Sequence, residues 1–148
     1  MSRTFELVST YGEKSLIPNR ATKASAGYDF KAAMDAIIPA GKIVMVPTGI
    51  KSKFNEDEVL QVFIRSSLSY KKGLSLANSV GIIDADYYNN ESNEGHIQIL
   101  LKNNSEEDVV ITKGDRIAQG IFSKYLITDS DISEGERLGG FGSTEVTE

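Results

Sequence analysis

Pro39-Ala40-Gly41-Lys42-Ile43-Val44-Met45-Val46-Pro47-Thr48-Gly49-Ile50-Lys51-Ser52-Lys53-Phe54 contains a short apolar run and an alternating run, each introduced by a turn signal. Proline presets φ and glycine reaches backbone conformations closed to other residues, so Pro39-Ala40-Gly41 and Pro47-Thr48-Gly49 read as turns. Ile43 to Val46 is short and rich in β-branched side chains, while Ile50, Ser52 and Phe54 alternate with two lysines at the period of a strand. The pattern recurs on both sides. Phe5-Glu6-Leu7-Val8 precedes it, and Val59 to Ile64 is apolar apart from Gln61. His96-Ile97-Gln98-Ile99-Leu100-Leu101 alternates at first, Val109-Val110-Ile111 leads into the turn Lys113-Gly114-Asp115, and Ile117 to Phe122 follows it. Strands of this length and spacing predict an all-β sandwich, barrel or jelly roll.

One segment departs from this pattern. Ser66-Ser67-Leu68-Ser69-Tyr70-Lys71-Lys72-Gly73 has a capping serine, basic residues in its last turn and a terminal glycine, which predicts a helix of about two turns. No long amphipathic helix and no internal repeat is legible. Residues 1–128 read as one β-rich core. From Asp129 the chain turns polar, acidic and then glycine-rich, so 129–148 reads as a flexible C-terminal arm. An inert tail fits that composition, but Phe141 between glycines also suits an aromatic that closes over a ligand.

Composition limits the chemistry. The 148 residues include no cysteine and one histidine, which excludes disulfides, thiolate metal sites, cysteine nucleophiles and multi-histidine metal centres. Sixteen Lys and Arg against 21 Asp and Glu give a formal charge of -5, so no general nucleic-acid binding is expected. No apolar stretch approaches the length that spans a bilayer, and Met1 to Thr10 carry Arg3 and Glu6 with no long apolar core. The expectation is a cytoplasmic protein that does not engage membranes. Chemistry is left to carboxylates, hydroxyls, amides, Arg, Lys and an oxygen-bound metal.

Five segments could carry it. In Asn78-Ser79-Val80-Gly81-Ile82-Ile83-Asp84-Ala85-Asp86-Tyr87 two carboxylates stand two apart and would share a face if extended. Asp84, after an apolar run, suits a general base for water, although an Asx turn fits as well. Asp29 in Ser25-Ala26-Gly27-Tyr28-Asp29 can hold a metal-bound water or cap a turn. Arg65-Ser66-Ser67 at the helix start can bind an anion or simply cap the helix beside a surface arginine. Gly114-Asp115-Arg116-Ile117-Ala118-Gln119 is a turn into a strand, equally readable as a tight hairpin with an ion pair. The fifth is Arg137 with Gly139-Gly140-Phe141-Gly142-Ser143-Thr144. His96, at a strand start, reads as a surface residue without chemistry.

In this order, and spanning residues 25 to 144, the five segments resemble the five motifs of the homotrimeric dUTPases (dUTP pyrophosphatases). The resemblance implies a jelly-roll-like β subunit of the β-clip type and a homotrimer whose sites are shared between subunits, the arm crossing to a neighbour. It implies Mg²⁺-assisted attack of water on the α-phosphorus of dUTP, giving dUMP and pyrophosphate. That reaction limits uracil incorporation into DNA and supplies dUMP for dTMP synthesis. By motif position Asp84 would orient or deprotonate the water, and Arg137 would reach the γ-phosphate. Tyr87 would pack on the deoxyribose and exclude a 2′-hydroxyl. Asn78, Ile82, Ile83 and Gln98 would line the uracil pocket, and Phe141 would cover it. Arg65, Ser66, Ser67, Gln119, Gly142, Ser143 and Thr144 would bind phosphates. Asp29 would act on Mg²⁺ through water, the metal being held mainly by the phosphates.

Some positions depart from the family pattern. Ser67 stands where a glycine is usual, Tyr88 to Glu94 is an enlarged surface loop, Arg137 lies one residue closer to Phe141, and Glu145 replaces a glycine. Arg65-Ser66-Ser67-Leu68 also fits the related dCTP deaminases, but Tyr70 stands where these have an arginine. A third possibility is a nucleotide-controlled regulator that uses the 88–94 loop as its contact surface.

Overall fold

A computed structural model of the chain describes residues 2–141. Eleven strands and one short helix follow in order: β1 Thr4–Leu7, β2 Asn19–Arg20, β3 Tyr28–Lys31, β4 Ala36–Ile38, β5 Ile43–Lys53, β6 Glu58–Ile64, α1 Ser66–Lys72, β7 Leu74–Leu76, β8 Gly81–Ile83, β9 Ile97–Asn103, β10 Val109–Ile111 and β11 Arg116–Lys124. They form a four-stranded sheet β1-β5-β9-β7, a five-stranded sheet β2-β3-β11-β6-β8 and a two-stranded ribbon β10-β4. Every pairing is antiparallel. The all-β expectation with one short helix holds. Among the described residues no helix is long and apolar enough to cross a membrane.

Alternation along each strand builds the core. Val46, Ile50, Ile97, Ile99 and Leu101 from the first sheet join Phe30, Leu60, Val62, Ile117 and Ala118 from the second in one buried cluster. Phe5 ties the sheets together, its ring edge-on to Phe30 at 5.6 Å and 5.5 Å from that of Phe122.

Three local readings are corrected. Pro47-Thr48-Gly49 does not separate two strands; it is a bulge inside β5. The register steps from Pro47↔Gln98 to Ile50↔Ile97, so β5 carries two extra residues. An even insertion keeps the same face inward, and Val46, Ile50 and Phe54 are all buried. The bulge is stable because its polar groups are satisfied. The buried Thr48 hydroxyl donates to the Ile97 carbonyl at 2.5 Å, and the Gly49 N–H donates to His96 Nε2 at 2.8 Å with Gly49 at φ 73°. Second, the Gly114 turn exists, with Asp115 Oδ2 accepting the Thr112 N–H, but β10 and β11 do not pair as a hairpin. β10 joins β4, and β11 lies between β3 and β6. Third, α1 begins at Ser66 after Arg65 in extended conformation, with no side-chain cap from serine. Its end is as read, with Gly73 left-handed at φ 67°.

His96 is likewise not a simple surface residue. It is partly buried against Tyr11, and burial pushes its pKa down. Because Nε2 accepts a hydrogen bond, the neutral ring carries its proton on Nδ1.

Candidate active site

Strand β8 runs beside β6 and delivers Asp84 to the rim of a cleft. The backbone is extended at Asp84 and then tightens into a 3-10 turn over Ala85–Tyr87, so the two carboxylates are not carried on a straight strand. They still converge on one cation. Arg137 Nη2 contacts Asp84, Arg137 Nε donates to Asp86 Oδ1 at 2.7 Å, and Nη1 donates to the Gly139 carbonyl at 2.9 Å. The guanidinium carbon lies 5.9 Å from the centre of the Tyr87 ring.

Behind this rim the cleft is walled by Val62, Leu76, Ile97, Ile99 and Leu100. Asn78, Gly81, Ile82, Ile83, Tyr87 and Gln98 line it with Asp84, while Gly140 and Phe141 close one side with Arg137. It is an apolar slot with a few polar groups, the usual make-up of a small-molecule site. Tyr87 is almost fully buried, and burial raises its pKa, so its phenol remains protonated. Its hydroxyl donates to the His96 carbonyl at 2.6 Å and accepts from Asn93 Nδ2 at 2.8 Å.

The glycine-rich segment has its own packing reason. A Cβ on Gly140 would lie 2.6 Å from Tyr87 Cε1, so only glycine lets the backbone meet the ring. Residues 129–136 are exposed and lack regular structure, whereas 137–141 turn back onto this chain's own cleft. The resemblance implied crossing to a neighbour; in the single chain the seat is occupied from within. Gly142, Ser143 and Thr144 lie outside the described residues.

A second cluster forms elsewhere. Asp29, buried on β3, faces Arg65 Nε at 3.4 Å and Arg116 Nη1 at 3.5 Å. Gln119 pairs with Asp29 across the sheet, its Oε1 reaching over Gly27, where a Cβ would meet it at 2.4 Å. Ser66 and Ser67 follow Arg65 at the start of α1. Asp29, Arg65, Gln119 and the serines are thus brought together, but none lines the first cleft.

The β6–β8 register measures the gap. Leu60 pairs with Ile83, so Asp84, just past β8, stands level with Val59, and Arg65, just past the end of β6, lies six residues from Val59. At ~3.4 Å per residue that is roughly 20 Å. A triphosphate, its phosphorus atoms joined through single oxygens, is shorter than that backbone separation.

The sequence reading missed the apolar wall and the contribution of Asp86 and Asn93. Asp86 was legible as the partner of Asp84. Asn93 had no local signal, because it lies in the loop read as a surface insertion. That loop is not detached, as Asn90 within it is buried.

The chain is similar to known proteins over most of its length. The family model for dUTPase matches residues 13–145. The deoxyuridine 5'-triphosphate nucleotidohydrolase of Lactococcus lactis is 48% identical over 145 residues, covering 96% of this chain and 97% of that protein. That of Rickettsia felis is 42% identical, covering 88% of each. The crystal structure of dUTPase from Streptococcus mutans superposes with a TM-score of 0.84 at 50% identity, covering 86% of this chain and 99% of that one.

Proposed function

The chain belongs to the dUTPase family, and we infer from that membership that it is an enzyme hydrolysing dUTP to dUMP and pyrophosphate. The observation that carries the reading is a single cleft joining an apolar slot to a carboxylate-arginine rim.

We propose that uracil enters the slot against Asn78, Ile82, Ile83 and Gln98, with Phe141 over it. Buried polar groups that pair with uracil would be left unpaired by cytosine, which discriminates strongly. Tyr87 offers its ring to the deoxyribose. Asp84 at the rim positions the attacking water and accepts its proton. Arg137, now spent on Asp84 and Asp86, exchanges them for the triphosphate and frees Asp84 for the water. A preformed cation that meets charge developing on transferring phosphoryl oxygens is a large rate term. Arg65, Ser66, Ser67 and Gln119 bind phosphates, joined by Gly142, Ser143 and Thr144.

Oxygen donors suit Mg²⁺, and among the described residues no group of three or more His, Cys, Asp or Glu forms a protein cage. That donor set fits an ion held mainly by phosphates and water, which when bound neutralises triphosphate charge. Asp29 would hold one of its waters. Its arginine contacts are longer than hydrogen bonds, leaving carboxylate lone pairs to accept from it.

The homotrimer reading draws support from the ~20 Å backbone separation between Asp84 and Arg65 that the β6–β8 register implies. A second copy supplying the Asp29-Arg65-Gln119 cluster to the first copy's cleft completes a site that one chain leaves open. This also reconciles an acidic protein with a polyanionic substrate, since only the cleft must be positive. We place the reaction in the cytoplasm, where nucleotides are processed, with no nucleic acid or membrane partner.

Pyrophosphate release measured across dUTP, dCTP, dTTP and UTP, with and without Mg²⁺, tests the reading. Release from dUTP alone, and only with the metal, is expected. Ammonia release from dCTP would replace it with a deaminase.

A further inference from the structure

The loop between Tyr87 and His96 is built like a brace. Asn90 Nδ2 donates to the Tyr87 carbonyl and to Asn93 Oδ1, both at 2.8 Å, and Asn90 Oδ1 accepts the N–H groups of Ser92 and Asn93. Asn93 Oδ1 also accepts the Gly95 N–H at 3.0 Å. Outside this layer Glu94 anchors the loop to the sheet: its carboxylate takes the N–H and hydroxyl of Ser9 at 2.8 and 2.5 Å and the Lys51 ammonium at 2.9 Å. Asn89 and Glu94 are held at φ 56° and 67°, conformations that persist only when surroundings impose them. The innermost bond of the brace is Asn93 Nδ2 to the Tyr87 hydroxyl, at 2.8 Å.

We propose that Asn93 is a specificity-determining positioning residue. It holds the Tyr87 ring from behind so that the ring cannot yield to the 2′-hydroxyl of a ribonucleotide. The proposal rests on the reading of Tyr87 as the sugar platform. A steric gate discriminates only by the cost of moving it. Stiffness of the ring therefore sets the ratio. Two torsions govern a tyrosine. Here the hydroxyl is pinned between the His96 carbonyl and Asn93, and the ring edge lies against Gly140. The enlarged loop is thus the support of the gate.

The test is the ratio of kcat/KM for UTP to that for dUTP in the full-length protein. Asn93→Ala and Tyr87→Phe cut the same hydrogen bond from its two ends; Asn93→Ala also gives up the bonds from Asn90 and Gly95, and Tyr87→Phe also gives up the bond to the His96 carbonyl, so the effect they share is that of the Asn93–Tyr87 bond. Each is expected to raise the ratio about five- to tenfold, the equivalent of one hydrogen bond, and the double variant no further than the larger single one. A merely structural role for Asn93 would lower both substrates together. A ratio unchanged in both variants but raised by Tyr87→Leu overturns the proposal and leaves the Tyr87 reading standing. A rise in Asn93→Ala that Tyr87→Phe does not share also overturns it. A ratio unchanged in all three removes the Tyr87 reading itself.

Discussion

Two inactive variants should restore each other. In Asp84→Asn the carboxylate proposed to position the water becomes an amide, and loss of such a base costs about 10²–10⁴ in rate. In Arg65→Ala the cation proposed to bind phosphate is removed, while buried Asp29 keeps Arg116 as a partner, so the core is spared. By the β6–β8 register, Asp84 is level with Val59, six positions before Arg65. If a working site takes Asp84 from one subunit and Arg65 from another, co-refolding the variants one to one creates sites with both residues intact. Such a site needs an Arg65→Ala chain on the Asp84 side and an Asp84→Asn chain on the Arg65 side. Random assortment in a symmetric ring makes that about a quarter of all sites. Pyrophosphate release should rise from near background in either parent to about a quarter of the wild-type rate. Distinct affinity tags on the two variants verify that mixed assemblies formed. Mixed assemblies with no more activity than the parents would refute the shared site and place both residues in one subunit's chemistry.

Truncation after Glu136 removes Arg137, Gly140 and Phe141 from the cleft but touches neither sheet. The shortened chain should keep its thermal midpoint and assembly size while turnover of dUTP drops by about 10² or more; full-rate hydrolysis would end the role given to the arm. Stability should also depend on pH. His96 accepts the Gly49 N–H, and burial lowers its pKa, so on acidification the unfolded chain takes the proton first. Its contribution is present above about pH 6.5 and is lost as pH falls from there through the folded pKa. Glu94, held at about 2 by Ser9 and Lys51, adds a further loss below pH 4.5 by the same sign. Thermal unfolding scans should show a falling midpoint below pH 6.5 that flattens in His96→Gln. A midpoint constant from pH 7.5 to 5 would contradict the His96 assignment.

Asp84 and Arg137 were legible as candidates because their chemistry is local to a motif. That they meet each other was not legible, since 53 positions separate them. The same holds for Asp29, which could be read as a water ligand but not as the carboxylate between Arg65 and Arg116. His96 was misread because a lone polar residue in an alternating run gives no sign of a bulge on the facing strand. The 88–94 loop was read as surface because asparagines, serine and glutamates favour solvent unless they satisfy one another, and here they do.

By itself the sequence determined what is set within a few residues: the strand periods, the stop of α1 at Gly73, the exclusion of thiol and multi-histidine chemistry, and the five motifs that mark the family. Tertiary structure alone decided how those pieces combine. It sent β10 and β11 to different sheets across one tight turn and absorbed Pro47-Thr48-Gly49 into β5. It also set Arg65 apart from Asp84 and placed Asn93 behind Tyr87. The reason is that register and partner choice depend on hydrogen bonds and side-chain packing between distant segments. Local propensity makes a strand at each place but does not say which strand lies beside it.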